Sequence, residues 1–540
     1  MLPTLDSLYR SLDFTILAVL IPTTFILAHL IPYLLDPHGI RQFPGPFFAK
    51  FTDAWLGLVC KEGHRSEVIH EMHRRYGPYV RIAPNHVSVA VPDALSIIYA
   101  HGNGALKSAF YDAFVSIRRG VFNTRDRNDH ARKRKIISHI FSQKSVVEFE
   151  PQIRLYVGLF IKQWDRLCDG AVKGLSGDDG EGGWRGESGR LWLDCLPWSN
   201  YLSFDIVGDL AFGAPFGMLE AAQDSALVPK DPKRVMATYG SDETAADVVA
   251  IPAVKILNGR GEYSMSMGVL PAWWRPFVRQ LPWYRRGLKD VQSLAGIAIM
   301  AVARRLATPT DRVDLLSKLK AGVDSDGNPM GREELTAEAL TLLIAGSDTT
   351  SNSTCAIIYY LARNRFAQEK LHKELDEQLG TEDETVANGQ QVKRLPYLDA
   401  CINEALRIHS TSALGLPRVV PEGGLTIMGQ FFPTGTVLSV PSYSIHRDPT
   451  IWGEDVEDYR PERWFECDLA AIQKTFNPFS VGPRACVGRN LAFLELQIII
   501  ASIMRRYDIV LADPDQCLET REGFLRKPLE CKVGIKRRDV

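Results

Sequence analysis

A cysteine stands in the run Phe479-Ser480-Val481-Gly482-Pro483-Arg484-Ala485-Cys486-Val487-Gly488, and the apolar helical pattern Leu491, Leu494, Ile498 begins directly after it. A thiol in a Gly- and Pro-rich turn at the mouth of a helix lies among free backbone N–H groups. These favour the thiolate, the form that ligates a metal. Arg484 offers a guanidinium fork to a carboxylate two residues before the sulfur, and Phe479 can pack near it. Gly482 and Gly488 let the backbone approach a flat ligand. Cys486 by itself reads as an inert buried thiol; its neighbours argue for a metal.

A second stretch able to do chemistry lies inside the longest helical pattern, Thr336 to about Arg363. There Ala345-Gly346-Ser347-Asp348-Thr349-Thr350 combines a glycine, β-branched residues and an acid. A threonine hydroxyl that returns a hydrogen bond to a carbonyl one turn back opens a groove in the helix. Thr336 is placed to cap this helix, with Glu338 in its first turn.

Charged residues supply a third set. In His130-Ala131-Arg132-Lys133-Arg134-Lys135, His130 and Arg134 share a helical face. That period points them inward to an anionic group and leaves Arg132, Lys133 and Lys135 outside, facing an acidic partner. Glu404 and Arg407 sit i, i+3 on another helix, with Pro461-Glu462-Arg463-Trp464 downstream and Arg418 between the two.

The spacing F-x-x-G-x-R-x-C-x-G at residues 479–488 resembles the haem-binding loop of the cytochromes P450, and the other motifs follow that family's order. The resemblance implies a mainly α fold with a small β region and haem b held by Cys486 as axial ligand. It makes Phe479, Arg484 and Gly488 part of the haem cradle, with His130, Arg134 and Arg418 on the propionates. His130 stands where many members carry tryptophan. By the same resemblance Asp348 and Thr349 are the acid–alcohol pair that delivers protons for dioxygen activation. Glu404, Arg407 and Arg463 form a buried network that fixes the core around the haem loop.

The elements that must position these residues begin with an almost wholly apolar stretch, Phe14 to Leu35, long enough to cross a bilayer. No small-residue cleavage site follows it, which favours a retained anchor over a signal peptide. The reading divides the chain into an anchor at 1–36, a Pro/Gly hinge at 37–50 containing Phe43-Pro44-Gly45-Pro46, and a catalytic domain at 51–540. A β-hairpin is expected around Pro84-Asn85, and a buried helix ending at Gly213. The glycine-rich stretch 170–190 reads as a flexible surface insertion, and Trp273, Trp274 and Trp283 suit either the core or a membrane interface. A formal net charge of −1 over 540 residues gives no pull towards nucleic acid. Nine scattered cysteines without a C-x-x-C pair suggest neither a disulfide framework nor a zinc site, and point to a reducing compartment.

Several further stretches, including Lys107 to Gly120, Phe122 to Arg127, Phe212 to Leu219, Ile408 to Ala413 and Thr520 to Leu529, resemble the fungal benzoate 4-monooxygenases. That resemblance implies para-hydroxylation of a small aromatic acid, benzoate foremost, with dioxygen and electrons from NADPH through NADPH-cytochrome P450 reductase. It also implies a single-pass endoplasmic reticulum anchor with the catalytic domain in the cytosol. No nicotinamide or flavin domain is found in the chain. An apolar slot for the ring is expected from Phe110, Phe114, Leu414 and Leu416, and a partner for the carboxylate from Arg118, Arg119, Ser410 or Thr411. The departures are the 170–190 insertion and Gly261 to Gly268. The competing readings are a monooxygenase acting on a larger aromatic or secondary metabolite, and a haem-thiolate binding protein without oxygenation. The Asp348–Thr349 pair argues against the second.

Overall fold

The computed structural model describes residues 14–239, 247–308, 312–323, 327–379 and 385–538. Helix α1 (Phe14–Leu35) carries Pro22 and Pro32 without ending at either. Its segment Ala18–Leu35 has mean hydropathy 1.9 and is wholly unburied. It is the one helix among the described residues long and apolar enough to cross a membrane. The hinge that follows is pinned: Phe43 stacks on Phe432 at 5.2 Å, and Arg81 N–H donates to Pro44 O at 2.8 Å.

The framework around the Cys486 loop is helical. Helix α2 (Arg127–Ser138) is capped by the Asp126 carboxylate, which accepts from Asp129 N–H. Helix α3 (Cys195–Phe212) buries nearly every residue, and stops where Gly213 turns left-handed at φ 74° and donates its N–H to Asp209 O at 2.9 Å. Helix α4 (Ala253–Val269) packs on the segment Ala109–Phe114. The central helix α5 (Arg332–Arg363) runs 32 residues and lies against α3, α6 (Pro396–Ile408) and α7 (Arg489–Arg506). It begins earlier than the sequence suggests, with Gly331 as its cap. Thr336 lies inside the helix, where its hydroxyl donates to Arg332 O at 2.7 Å, and Glu338 is buried beyond the first turn.

The β region is small. Strands β1 (Tyr79–Ala83) and β2 (His86–Val89) form the expected hairpin, and β3 (Leu106–Lys107), β4 (Arg418–Val419) and β5 (Val437–Ser439) complete a sheet of order β1-β2-β5-β4-β3. This sheet holds Lys107 and Arg418 directly opposite each other.

The glycine-rich stretch is not a loose insertion. Ser176–Gly177 and Trp184–Glu187 extend the sheet formed by Arg190–Asp194, Lys532–Arg537 and Tyr507–Leu511. Its glycines make room for an indole: a Cβ on Gly170 or Gly177 would meet the Trp184 ring at 2.7 and 2.6 Å. The Trp184 Nε1–H donates to Asp179 at 3.0 Å. Glycine content here records close packing, which composition alone reads as flexibility.

Candidate active site

The loop before α7 is built around two backbone constraints. Cys486 N–H donates to Phe479 O at 2.8 Å, closing the turn. Gly482 adopts φ 75°, and a Cβ there would lie 1.8 Å from Tyr99 O, so only glycine fits. Its freedom serves the packing of the loop on its neighbour. Gly488, the cap of α7, faces open space within 4 Å of where its Cβ would be, as a cradle for a flat group requires. Burial raises the Cys486 thiol pKa, while the N–H groups of Gly488 and Arg489 and the charge of Arg134 act in favour of the thiolate. Cys486 nevertheless retains accessible surface, as does Ala345 in the middle of α5.

Helix α5 is continuous through Gly346, and its polar side chains turn back on the backbone as the sequence suggests. Thr349 donates to Ala345 O at 2.6 Å and Ser347 to Leu343 O at 2.7 Å. Asp348 accepts from Asn352 Nδ2 at 3.0 Å. Its pKa is raised, because burial outweighs the opposing charges of Lys527 and Arg260 and the Asn352 hydrogen bond. Thr350 donates to Glu495 of α7 at 3.1 Å, tying the two helices beside the loop. Glu495 itself is pushed up to about 8 by burial, so a neutral carboxyl joins them.

Lys107, His130, Arg134, Arg418 and Arg484 converge with no carboxylate within ion-pair distance of any of them among the described residues. Arg484 donates to Thr124 O at 2.8 Å, Arg134 to Ala485 O at 2.7 Å and Arg418 to Tyr111 Oη at 2.9 Å, while Lys107 donates to Phe122 O. Backbone carbonyls and a phenol position the three arginines and Lys107 without pairing them with an opposite charge. Burial, then repulsion from neighbouring cations, depresses the pKa of three of them: Arg484 to about 10, His130 to about 3, and Lys107 well below the usual lysine range. Such a cluster fits a dianionic group. Lys107 was missed at the sequence level, since a single lysine on a two-residue strand has no spacing to recommend it.

The inward face of α2 is wider than its period suggests. Lys133 is almost fully buried and pairs with Glu334, and lies 3.6 Å from Glu338; Arg132 joins Glu334 and Asp129. Both are thereby withdrawn from partner docking, and of the three cations assigned to the outside only Lys135 is exposed. The helix is clasped between α5 on one side and the Cys486 loop on the other.

The buried network holds the loop. Arg407 Nε and Nη2 donate to Glu404 at 2.9 and 2.8 Å, Arg463 Nε donates to Glu404 at 3.2 Å, and Trp464 Nε1 at 3.1 Å. Arg407 Nη1 donates to His446 O at 2.9 Å, and the His446 Nε2 accepts the N–H of Asn477 at 3.1 Å, two residues before Phe479.

A family model for cytochrome P450 matches residues 44–535. The chain is a cytochrome P450. The family carries haem with a cysteine thiolate as axial ligand. Benzoate 4-monooxygenase bphA of Aspergillus niger is 49% identical over 522 residues, covering 95% of this chain and 96% of the relative. Cytochrome P450 monooxygenase gsfF of Penicillium aethiopicum is 29% identical over 93% of this chain and 94% of the relative. Cytochrome P450 monooxygenase atr2 of Stereocaulon alpinum is 30% identical over 97% and 96%.

In this P450 the four residues expected to line an apolar slot pack together. Phe110, Phe114, Leu414 and Leu416 share one cluster with Met265, Phe122 and Phe524. The rings of Phe114, Phe122 and Phe524 lie 4.9 to 5.7 Å apart, edge to face. Of the expected carboxylate partners, two lie at the surface and two already make hydrogen bonds. Arg118 is exposed, Arg119 is paired with Asp112 at 2.6 Å, Ser410 is engaged by Leu406 O and His446, and Thr411 by Ser353 at 3.1 Å.

All nine cysteines are free thiols. Cys195, Cys355 and Cys531 meet with their sulfurs within 4.8 Å of one another, fully buried. Cys195 lies opposite Cys531, donating its N–H to Cys531 O at 2.9 Å. The two neighbouring thiols, as hydrogen-bond donors, pull the Cys531 ionisation down. This cluster does not include Cys486, and no spacing in the sequence announces it.

Proposed function

We propose that this P450 is a membrane-anchored benzoate 4-monooxygenase, converting benzoate to 4-hydroxybenzoate. The observation that carries the reading is 49% identity to a benzoate 4-monooxygenase over 95% of the chain. The apolar cluster of Phe110, Phe114, Phe122, Phe524, Leu414 and Leu416 supports it, because it offers a ring aromatic and aliphatic neighbours.

Cys486 is the proposed thiolate ligand, with Phe479 and Gly488 lining the haem face and Lys107, His130, Arg134, Arg418 and Arg484 meeting the propionates. Bound haem supplies the oxygen chemistry, in which one atom of dioxygen enters a C–H bond and the other leaves as water. Asp348 holds a proton at its carboxyl because burial favours the neutral form, and passes it towards the Thr349 hydroxyl. Ala345, whose carbonyl accepts that hydroxyl, is accessible, and the phenylalanines keep water from the ring.

The division into an anchor at 1–36, a hinge at 37–50 and a catalytic domain at 51–540 belongs to the same reading. So does an endoplasmic reticulum location, with the catalytic domain in the cytosol and NADPH-cytochrome P450 reductase as electron donor. Exposed Phe47, Phe48, Trp273, Phe277 and Trp283, together with Trp274 stacked 6.5 Å from Phe25 of α1, make an apolar surface that suits the membrane interface.

The test is reconstitution of the full chain with reductase, NADPH and benzoate. The expected product is 4-hydroxybenzoate in proportion to NADPH consumed. Benzoate returned unchanged by a preparation that hydroxylates a larger aromatic would refute the substrate assignment.

A further inference from the structure

The apolar cluster around Phe114 suits an aromatic ring, but the residues expected to hold a carboxylate are exposed or already hydrogen-bonded. The central part of α4 offers a different group. Arg260 is only 6% exposed, and no carboxylate lies within ion-pair distance of it among the described residues. Its guanidinium sits 5.3 Å over the Phe114 ring, and Nη2 donates to Phe114 O at 3.3 Å. The Nε–H has no partner. One turn on, at i+4 on the same face, the Ser264 hydroxyl is fully buried and also without a partner.

A buried cation facing an aromatic wall with an unsatisfied donor is expensive, and such groups are normally paired. Asp348 is the acid whose charge reaches Arg260, yet it is not in contact and burial moves it towards its neutral form. A planar carboxylate matches what is missing, because a guanidinium presents parallel N–H donors and the serine adds another. Phe114 connects this donor pair to the slot, since its ring packs 4.9 Å from Phe524 and 5.7 Å from Phe122.

We propose that Arg260, assisted by Ser264, is the carboxylate-binding site of the substrate pocket, and that the pocket selects monoanionic aromatic acids. The proposal rests on the aromatic-acid reading above and deepens it. An aromatic acid held by its carboxylate at α4 lies with its ring on Phe114, which fixes the acid end and turns the opposite, para, end away from it.

The experiment is titration of the haem-loaded full chain by the Soret spin-state shift, with benzoate, methyl benzoate and a larger aromatic acid as probes. Wild type is compared with Arg260→Leu, Arg260→Lys and Ser264→Ala, each first checked for its reduced carbon monoxide spectrum. The expected result is a weakening of benzoate binding by about 100-fold or more in Arg260→Leu, with methyl benzoate unaffected or tighter. Arg260→Lys restores part of the loss, and Ser264→Ala loses a few-fold. Benzoate affinity unchanged in Arg260→Leu overturns the proposal, as does an equal loss for acid and ester. If wild type responds only to the larger acid and Arg260→Leu abolishes that response, the carboxylate site stands and the benzoate reading fails. If wild type responds only to the ester, both fail.

Discussion

His446 links the buried Glu404–Arg407 network to the Cys486 loop, and its removal loosens that loop without touching the pocket. The ring is fully buried, packed 5.4 Å from Phe476 and 6.1 Å from Trp452. Burial first, and the charges of Arg407 and Arg447 next, hold its pKa at about 3, so the imidazole is neutral at physiological pH. A neutral ring has one donor and one acceptor nitrogen. Nε2 accepts from Asn477 N–H, which makes Nδ1–H the donor to Ser410 Oγ at 2.7 Å, while the Ser410 hydroxyl donates to Leu406 O.

His446→Leu leaves the Asn477 N–H and one Ser410 lone pair unsatisfied, at about 1–3 kcal/mol each, so about 2–6 kcal/mol in all. With 540 residues and an unfolding entropy near 2.1 cal/mol/K per residue, that lowers the thermal midpoint by about 2–5 °C. The pH dependence carries the sign. The unfolded chain binds a proton at His446 below its ordinary pKa of 6.5, whereas the folded chain binds it only near pH 3, so folded stability falls as pH drops through this window. His446→Leu flattens that component. The assay is circular dichroism melting of the holoprotein between pH 5 and 8, with the carbon monoxide spectrum recording haem ligation. Adding Ser410→Ala to His446→Leu costs less than Ser410→Ala in wild type, because the partner is already gone. An unchanged midpoint and full additivity would refute the proposed linkage.

Gly482→Ala places a Cβ 1.8 Å from Tyr99 O in a left-handed turn, and purified protein should carry little haem per chain by pyridine haemochrome assay. Asp348→Asn removes the acid beside Thr349; product per unit time should fall by roughly 100-fold, with NADPH oxidation diverted to hydrogen peroxide. Lys107→Met removes a buried amine whose ionisation is opposed by burial and by the neighbouring arginines. It should therefore raise the melting midpoint of haem-free protein while speeding transfer of haem to apomyoglobin several-fold, opposite signs that a simple packing role would not give.

What was legible in the sequence follows from how local each constraint is. The Cys486 loop, the Asp348–Thr349 step and the Glu404, Arg407 and Arg463 set sit in motifs whose spacing is dictated by one turn or one helix, so the chain displays them directly. Lys107 and Arg260 become special only because burial strips them of counterions, which depends on what packs over them from distant parts of the chain. The periodicity of α2 identified the face of His130 and Arg134 but missed Lys133, because that helix is covered on two sides. Glycine between 170 and 190 was misread for a related reason: the partner that needs its missing side chains, Trp184, is a property of packing, not of composition. The same holds for the convergence of Cys195, Cys355 and Cys531 from three separate elements.

The most direct test of the account is the reduced carbon monoxide spectrum of Cys486→Ser beside Cys531→Ser and Cys195→Ser, because the whole assignment turns on which sulfur meets the iron. The account predicts that the thiolate-type Soret band disappears in Cys486→Ser and persists in the other two. Persistence of that band in Cys486→Ser, or its loss in Cys531→Ser with haem still bound, would contradict it.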